Sequence, residues 1–149
     1  LAGIPTSRLV PILNERLSLS LNPEKIIDEK EEEFLRAIHL TKPIEPVVAV
    51  ARRYAGTMPV SLGTGGRRDI ALLTLEAVGL DGVFDIMVAA EDVSRHKPEP
   101  DTFLECARRM GADPAFCQVF EDGELGLEAA RRAGMIVTDI RPYTDQKSV

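Results

Sequence analysis

Apolar positions along the chain change their period near residue 59. Before it they recur at helical spacing. Thr6 or Ser7 caps a segment whose Leu9, Val10, Ile12, Leu13 and Leu17 cluster on one side, with Pro11 tolerated in its first turns. Asn22-Pro23 opens a second helix, a capping residue followed by proline at the first helical position. Ile27, Phe34 and Ile38 line one face of it, while Glu29, Glu31, Glu32 and Glu33 read as solvated surface. A third helix runs through Val47, Val48, Val50 and Tyr54 and stops near Gly56. Beyond it, short apolar runs at Pro59–Leu62, Phe84–Ala89, Gln118–Phe120 and Ile136–Ile140 alternate with helical stretches at Arg68–Val78, Thr102–Met110 and Leu125–Ala133. Strands and helices in alternation, with short connections, predict an α/β fold built on a parallel sheet. Ligands of such sheets bind beyond the carboxyl ends of the strands, so the residues after each run carry the chemical information.

Composition narrows the choice of ligand. Hydrophobic residues make up 44% of the 149 and charged residues 28%, as in an ordinary globular protein with a real core. The net charge of −6, from 24 acidic and 18 basic side chains, offers no electrostatic attraction to nucleic acid or to an anionic membrane. A small ligand is expected instead. No apolar stretch approaches the roughly 20 residues that span a bilayer, and the N-terminus lacks a signal-peptide layout, so a cytoplasmic location is expected. Cys106 and Cys117 have no metal-ligand spacing and read as buried, reduced thiols. The chain starts at Leu1 rather than Met, which suggests that a longer natural chain precedes it.

Three strand ends carry candidate chemistry. Gly63-Thr64-Gly65-Gly66 leads directly into a helix, where a hydroxyl, exposed N–H groups and the helix dipole favour an anion such as phosphate. Taken alone, the same residues equally suit a plain glycine-rich turn, and a dinucleotide fingerprint would need glycine where Arg68 stands. Lys97, before Pro98, offers a point charge to a phosphate; alone it also reads as solvent decoration, and His96 beside it is assigned no chemistry. Glu121-Asp122 ends the third run, and adjacent carboxylates there suit a hard divalent ion such as Mg²⁺, although an Asp-Gly turn needs no function. Asp69 and Asp101 read as helix-start residues, and Asp81 and Asp85 precede a strand at its far end.

Jointly these segments resemble the haloacid dehalogenase superfamily of phosphohydrolases. The hydroxyl motif corresponds to Val60-Ser61-Leu62-Gly63-Thr64-Gly65 and the lysine motif to Lys97-Pro98-Glu99-Pro100-Asp101-Thr102-Phe103. The acidic motif corresponds to Val119-Phe120-Glu121-Asp122-Gly123 with Gly126 and Ala129 through Met135. The nearest resemblance is to the subgroup that holds β-phosphoglucomutase and the bacterial fructose-1-phosphate phosphatases. It implies a Rossmann-like core at 46–149, a partial helical cap at 1–45, and Mg²⁺-dependent hydrolysis of small phosphorylated metabolites, chiefly sugar phosphates. Thr64 would then bond the phosphoryl group together with Gly65 and Gly66, Lys97 would neutralise it, and Asp122 with Glu121 would anchor the metal. Gly123 stands where serine is common. In the cap, Gly3-Ile4-Pro5-Thr6 matches a substrate-facing loop and Lys30 a substrate-reaching lysine. Thr6 occupies the place of an arginine that grips the mutase's second phosphate, which favours phosphatase over mutase, with Arg8 near enough to substitute. The family's Asp-x-Asp nucleophile motif has no counterpart here. It and the first core strand are expected upstream of Leu1; a silent phosphometabolite-binding protein is the alternative of another class.

Overall fold

The computed structural model describes residues 6–144, apart from the side chains of Ser7, Arg8 and Thr144. The chain divides into two compact units, Leu1–Thr41 and Lys42–Val149. In the first, α1 (Thr6–Leu17) packs on α2 (Pro23–Ala37), which runs into a 3-10 turn at Ile38–Leu40. The Asn22 side chain accepts hydrogen bonds from the Glu24 and Lys25 N–H groups at 2.9 and 3.2 Å, satisfying two of the donors that open α2. Asn14 clamps the connecting loop by donating to Leu21 O and accepting from Leu21 N, both at 2.9 Å. Pro11 falls inside α1, which continues through it. The acidic face of α2 is solvated, with Glu29 and Glu32 in exposed pairs to Lys25 and Arg36.

The second unit begins with α3 (Glu45–Tyr54), which has Pro46 in its first turn and buries Val48. Four short strands follow, β1 (Ser61–Gly63), β2 (Ile86–Val88), β3 (Gln118–Glu121) and β4 (Ile136–Asp139), separated by α4 (Arg68–Ala77), α5 (Asp101–Met110) and α6 (Glu124–Arg132) and trailed by α7 (Arg141–Thr144). Every strand and helix predicted by the apolar runs forms, with ends shifted by no more than two residues. All pairing is parallel. β1 lies beside β2 with Leu62 opposite Met87, and β3 beside β4 with Val119 opposite Val137, as two separate two-stranded sheets among the described residues.

A buried cluster of this unit forms where α5 and α6 meet and α6 covers β3 and β4. Phe103, Ala107, Cys117, Val119, Ala129, Ala130, Ala133 and Met135 form one buried cluster. The alanines are its enabling feature, because a helix face without bulk lies close on the sheet. Leu127 is fully buried, which contributes about 2 kcal/mol of hydrophobic free energy. Cys106 and Cys117 are free thiols, both pushed up in pKa by burial. At β1 the approach is tighter: a Cβ on Gly63 would lie 3.1 Å from Thr102 Cγ2 and 3.2 Å from Cys106 Sγ, so the strand end needs glycine to seat against α5. No described helix is long and apolar enough to cross a membrane.

Candidate active site

The turn after β1 is held from three sides. Thr64 N–H donates to Val88 O at 2.9 Å, extending the β1–β2 ladder by one bond, and Ala90 N–H donates to Gly66 O at 3.0 Å. Thr64 Oγ1 accepts the Gly66 N–H at 3.0 Å. A hydroxyl that accepts from the turn is left with its own proton to donate, so the Thr64 O–H is available to an incoming oxyanion. Gly65 and Gly66 are exposed, and α4 begins two residues later.

Lys97 and Glu121 meet at the ends of β1 and β3. Lys97 Nζ donates to Glu121 Oε2 at 2.6 Å and reaches Gly63 O at 3.5 Å, and it lies 4.7 Å from the centre of the Phe103 ring. The two side chains are only 17% and 14% exposed, so this is a half-buried charge pair rather than surface decoration. Glu121 Oε1 accepts the Gly123 N–H at 2.9 Å and the Asp122 N–H at 3.1 Å. Burial works against ionisation of Glu121. The Lys97 charge, its hydrogen bond, the Gly123 N–H and the Asp122 carboxyl together outweigh that and hold the group below its ordinary value.

Room for Glu121 comes from Gly126. A Cβ at that position, in the first turn of α6, would overlap the Glu121 carboxyl and its Cγ, so the carboxylate occupies the hole a side chain would fill. Gly126 was legible in the sequence only as part of the acidic motif. The signal for its role is glycine inside a helix, a choice that costs about 1 kcal/mol against alanine and so calls for a contact that needs it. Gly126→Ala is expected to turn Glu121 away from Lys97, lowering turnover or metal affinity by about 10- to 100-fold. Mg²⁺ titrations of activity check this; unchanged values would show that Glu121 does not depend on the missing Cβ.

The structure thus brings Gly63-Thr64, Lys97 and Glu121-Asp122 to one set of strand ends. Asp122 is exposed and directly follows Glu121, which is already paired with Lys97. Among the described residues no three His, Cys, Asp or Glu side chains gather to hold an ion. The donor chemistry still suits Mg²⁺, since both candidate ligands are carboxylates, but the chain supplies a partial shell in which Asp122 is open and Glu121 is shared with Lys97. In the first unit, Lys30 Nζ donates to Thr6 Oγ1 at 3.1 Å, joining two of the expected cap residues. The Arg8 side chain and the Gly3-Ile4-Pro5 loop lie outside the described residues. Asp69 binds Arg67 and the Ile70 N–H, and Asp101 binds Arg95.

Oxygen donors and a half-buried lysine thus gather at the carboxyl ends of parallel strands, where α/β folds bind their ligands. The chain belongs to the haloacid dehalogenase-like hydrolase family, whose sequence model matches residues 1–140. It is 43% identical over 95% of its length to a fructose-1-phosphate phosphatase of Escherichia coli (strain K12), of which it spans 75%. It is 30% identical over 89% of its length to a phosphorylated-carbohydrates phosphatase of Thermotoga maritima, of which it spans 62%. The crystal structure of a β-phosphoglucomutase from Clostridium difficile shares the fold, with a TM-score of 0.75 at 20% identity, covering 92% of this chain and 65% of that one. Four curated relatives beyond the Escherichia coli enzyme are spanned over only 43% to 62% of their lengths.

Proposed function

We propose that this chain is the larger part of a cytoplasmic, Mg²⁺-dependent phosphatase of small phosphorylated metabolites, chiefly sugar phosphates. The carrying observation is the Lys97–Glu121 pair at 2.6 Å beside the Thr64 turn, a fixed positive charge next to a hydroxyl donor and an open carboxylate. Similarity to the two sugar-phosphate phosphatases supports the substrate class.

In this reading the attacking aspartate belongs to an Asp-x-Asp strand upstream of Leu1 and forms an aspartyl-phosphate that water then hydrolyses. The 149 residues contain no such motif themselves. Thr64 donates its hydroxyl to a phosphoryl oxygen, with the Gly65 and Gly66 backbone close to the group. Lys97, held by Glu121, neutralises charge on the equatorial oxygens without reorienting during the reaction. Asp122 and Glu121 would hold Mg²⁺, which when bound neutralises further phosphoryl charge. In this reading the helical unit would serve as the cap, with Thr6, Arg8 and Lys30 as its candidate substrate residues. Thr6 presents a neutral hydroxyl to Lys30, which suits a sugar better than a second phosphate.

The test is release of inorganic phosphate from a panel of sugar phosphates by the chain extended through its upstream strand, with Mg²⁺ and with EDTA. The 149 residues alone serve as the blank. Metal-dependent release by the extended chain is the expected result. Interconversion of a sugar 1-phosphate and 6-phosphate without net release would replace the reading with a mutase, and binding without turnover would replace it with a silent binding protein.

A further inference from the structure

Beyond the motif residues, one charged cluster ties the two phosphate-binding loops together. Its centre is Asp92, in a 3-10 turn at Ala90–Asp92 just after β2, with a side chain 19% exposed. Asp92 Oδ2 accepts the Ala89 N–H at 2.7 Å and pairs with Arg68, from the first turn of α4. Asp92 Oδ1 accepts from Arg109 Nη2, on α5, at 3.0 Å. Both guanidinium groups also donate to Met87 O, Arg109 at 2.9 Å and Arg68 at 3.3 Å. That carbonyl belongs to β2, whose one strand neighbour among the described residues is β1. An otherwise unpaired edge carbonyl and a carboxylate therefore share two arginines delivered by different helices.

The consequence for the site follows from what is stitched to this cluster. The Arg68 N–H donates to Glu91 Oε1 at 3.2 Å and the Ala90 N–H to Gly66 O at 3.0 Å. With the Thr64 N–H bond to Val88 O, the segment 88–92 holds the segment 64–68 at three backbone points. Arg109 extends the same tie to α5, the helix that follows the Lys97 loop and carries Phe103 beneath the Lys97 ammonium. The Ala89 N–H, ahead of Arg109, holds the Asp92 carboxyl below the usual range, so the acceptor is ionised at neutral pH.

We propose that Asp92, braced by Arg68 and Arg109, is a positioning residue that sets the Thr64-Gly65-Gly66 turn against the Lys97 loop for phosphate binding. The proposal rests on the phosphatase reading for its ligand class. Asparagine at 92 keeps the shape and one acceptor but removes the charge that both arginines engage. Because a misplacement of about 1 Å costs up to about 100-fold at a preorganised site, Asp92→Asn is expected to weaken inorganic phosphate binding about tenfold. Asp122 follows β3, in the other two-stranded sheet, so the Mg²⁺ concentration for half-maximal effect should stay within about twofold.

The experiment is calorimetric titration of inorganic phosphate, and separately of Mg²⁺, into the full extended chain, wild type and Asp92→Asn, with Arg109→Gln as a second variant that leaves Asp92 its Ala89 and Arg68 contacts. The second variant should weaken phosphate binding about threefold, and it decides the matter if Asp92→Asn does not fold. Weaker phosphate binding with unchanged Mg²⁺ binding supports the positioning role. Unchanged phosphate binding, or equal losses for both ligands, overturns it. Wild type that binds phosphate yet releases none from any sugar phosphate overturns the phosphatase reading alone, and the binding arms still judge Asp92.

Discussion

In the extended chain, Lys97→Met is expected to lower phosphate release by about 1,000-fold or more, the scale on which single preorganised charges act in acyl and phosphoryl transfer. Two losses combine. The ammonium proposed to neutralise the phosphoryl oxygens is gone, and Glu121, held at 2.6 Å from it in the wild type, loses the partner that made its burial tolerable. Methionine keeps the apolar stem over the Phe103 ring, so packing is largely retained while the charge is removed. The stability cost is about 1–2 kcal/mol, below that of a fully buried pair because both side chains keep some solvent contact. It should also depend on pH in a defined sense. Glu121 in the wild type is held below its ordinary value of 4.5, so its contribution is present above that value and lost as pH falls through the folded one. Without Lys97 the leading influence is burial, which raises the group, and its contribution is then lost as pH rises. The difference in Tm between wild type and variant, measured with EDTA, should therefore widen from about pH 4 to pH 7. A constant difference across that range would show that Glu121 is not what Lys97 holds.

Asp122→Asn is the second substitution with a large expected effect: loss of metal-dependent turnover by about 100-fold or more, with stability changed by no more than about 0.5 kcal/mol. The asymmetry has a structural cause. Asp122 is exposed, and the bond from its backbone N–H to Glu121 Oε1 survives the substitution. Removing one carboxylate charge therefore takes little from the fold. The proposed metal shell would lose its exposed member, however, and Glu121 would be unable to take over fully without releasing Lys97. Activity titrated with Mg²⁺, alongside thermal unfolding, measures both halves. Undiminished turnover would remove Asp122 from the site.

The elements themselves were largely legible in the sequence because each expresses a periodicity. Gln118 through Phe120 forms a strand one residue longer than its apolar run, and Asn22-Pro23 starts α2 as its capping chemistry requires. What escaped has no periodic signal. The 3-10 turns at Ile38–Leu40, Ala90–Asp92 and Pro114–Phe116 are shorter than any window that separates helix from strand. At the site, Thr64, Lys97, Glu121 and Asp122 are visible as residues after strands, but the pairing of Lys97 with Glu121 spans 24 positions and depends on a hole at Gly126. The Arg68–Asp92–Arg109 cluster is likewise three unremarkable charges until two helices and an edge strand bring them together.

The hole at Gly126 sets a trap for protein engineering. A search for thermostable variants that scores helix propensity alone would choose alanine there, since the exchange gains up to about 1 kcal/mol in a helix interior. The gain would be local and the harm remote, because the space that the methyl group takes is where the Glu121 carboxylate sits while it holds Lys97. Selection for heat resistance and selection for turnover should therefore pull this one position in opposite directions, with function favouring the residue that destabilises its own helix.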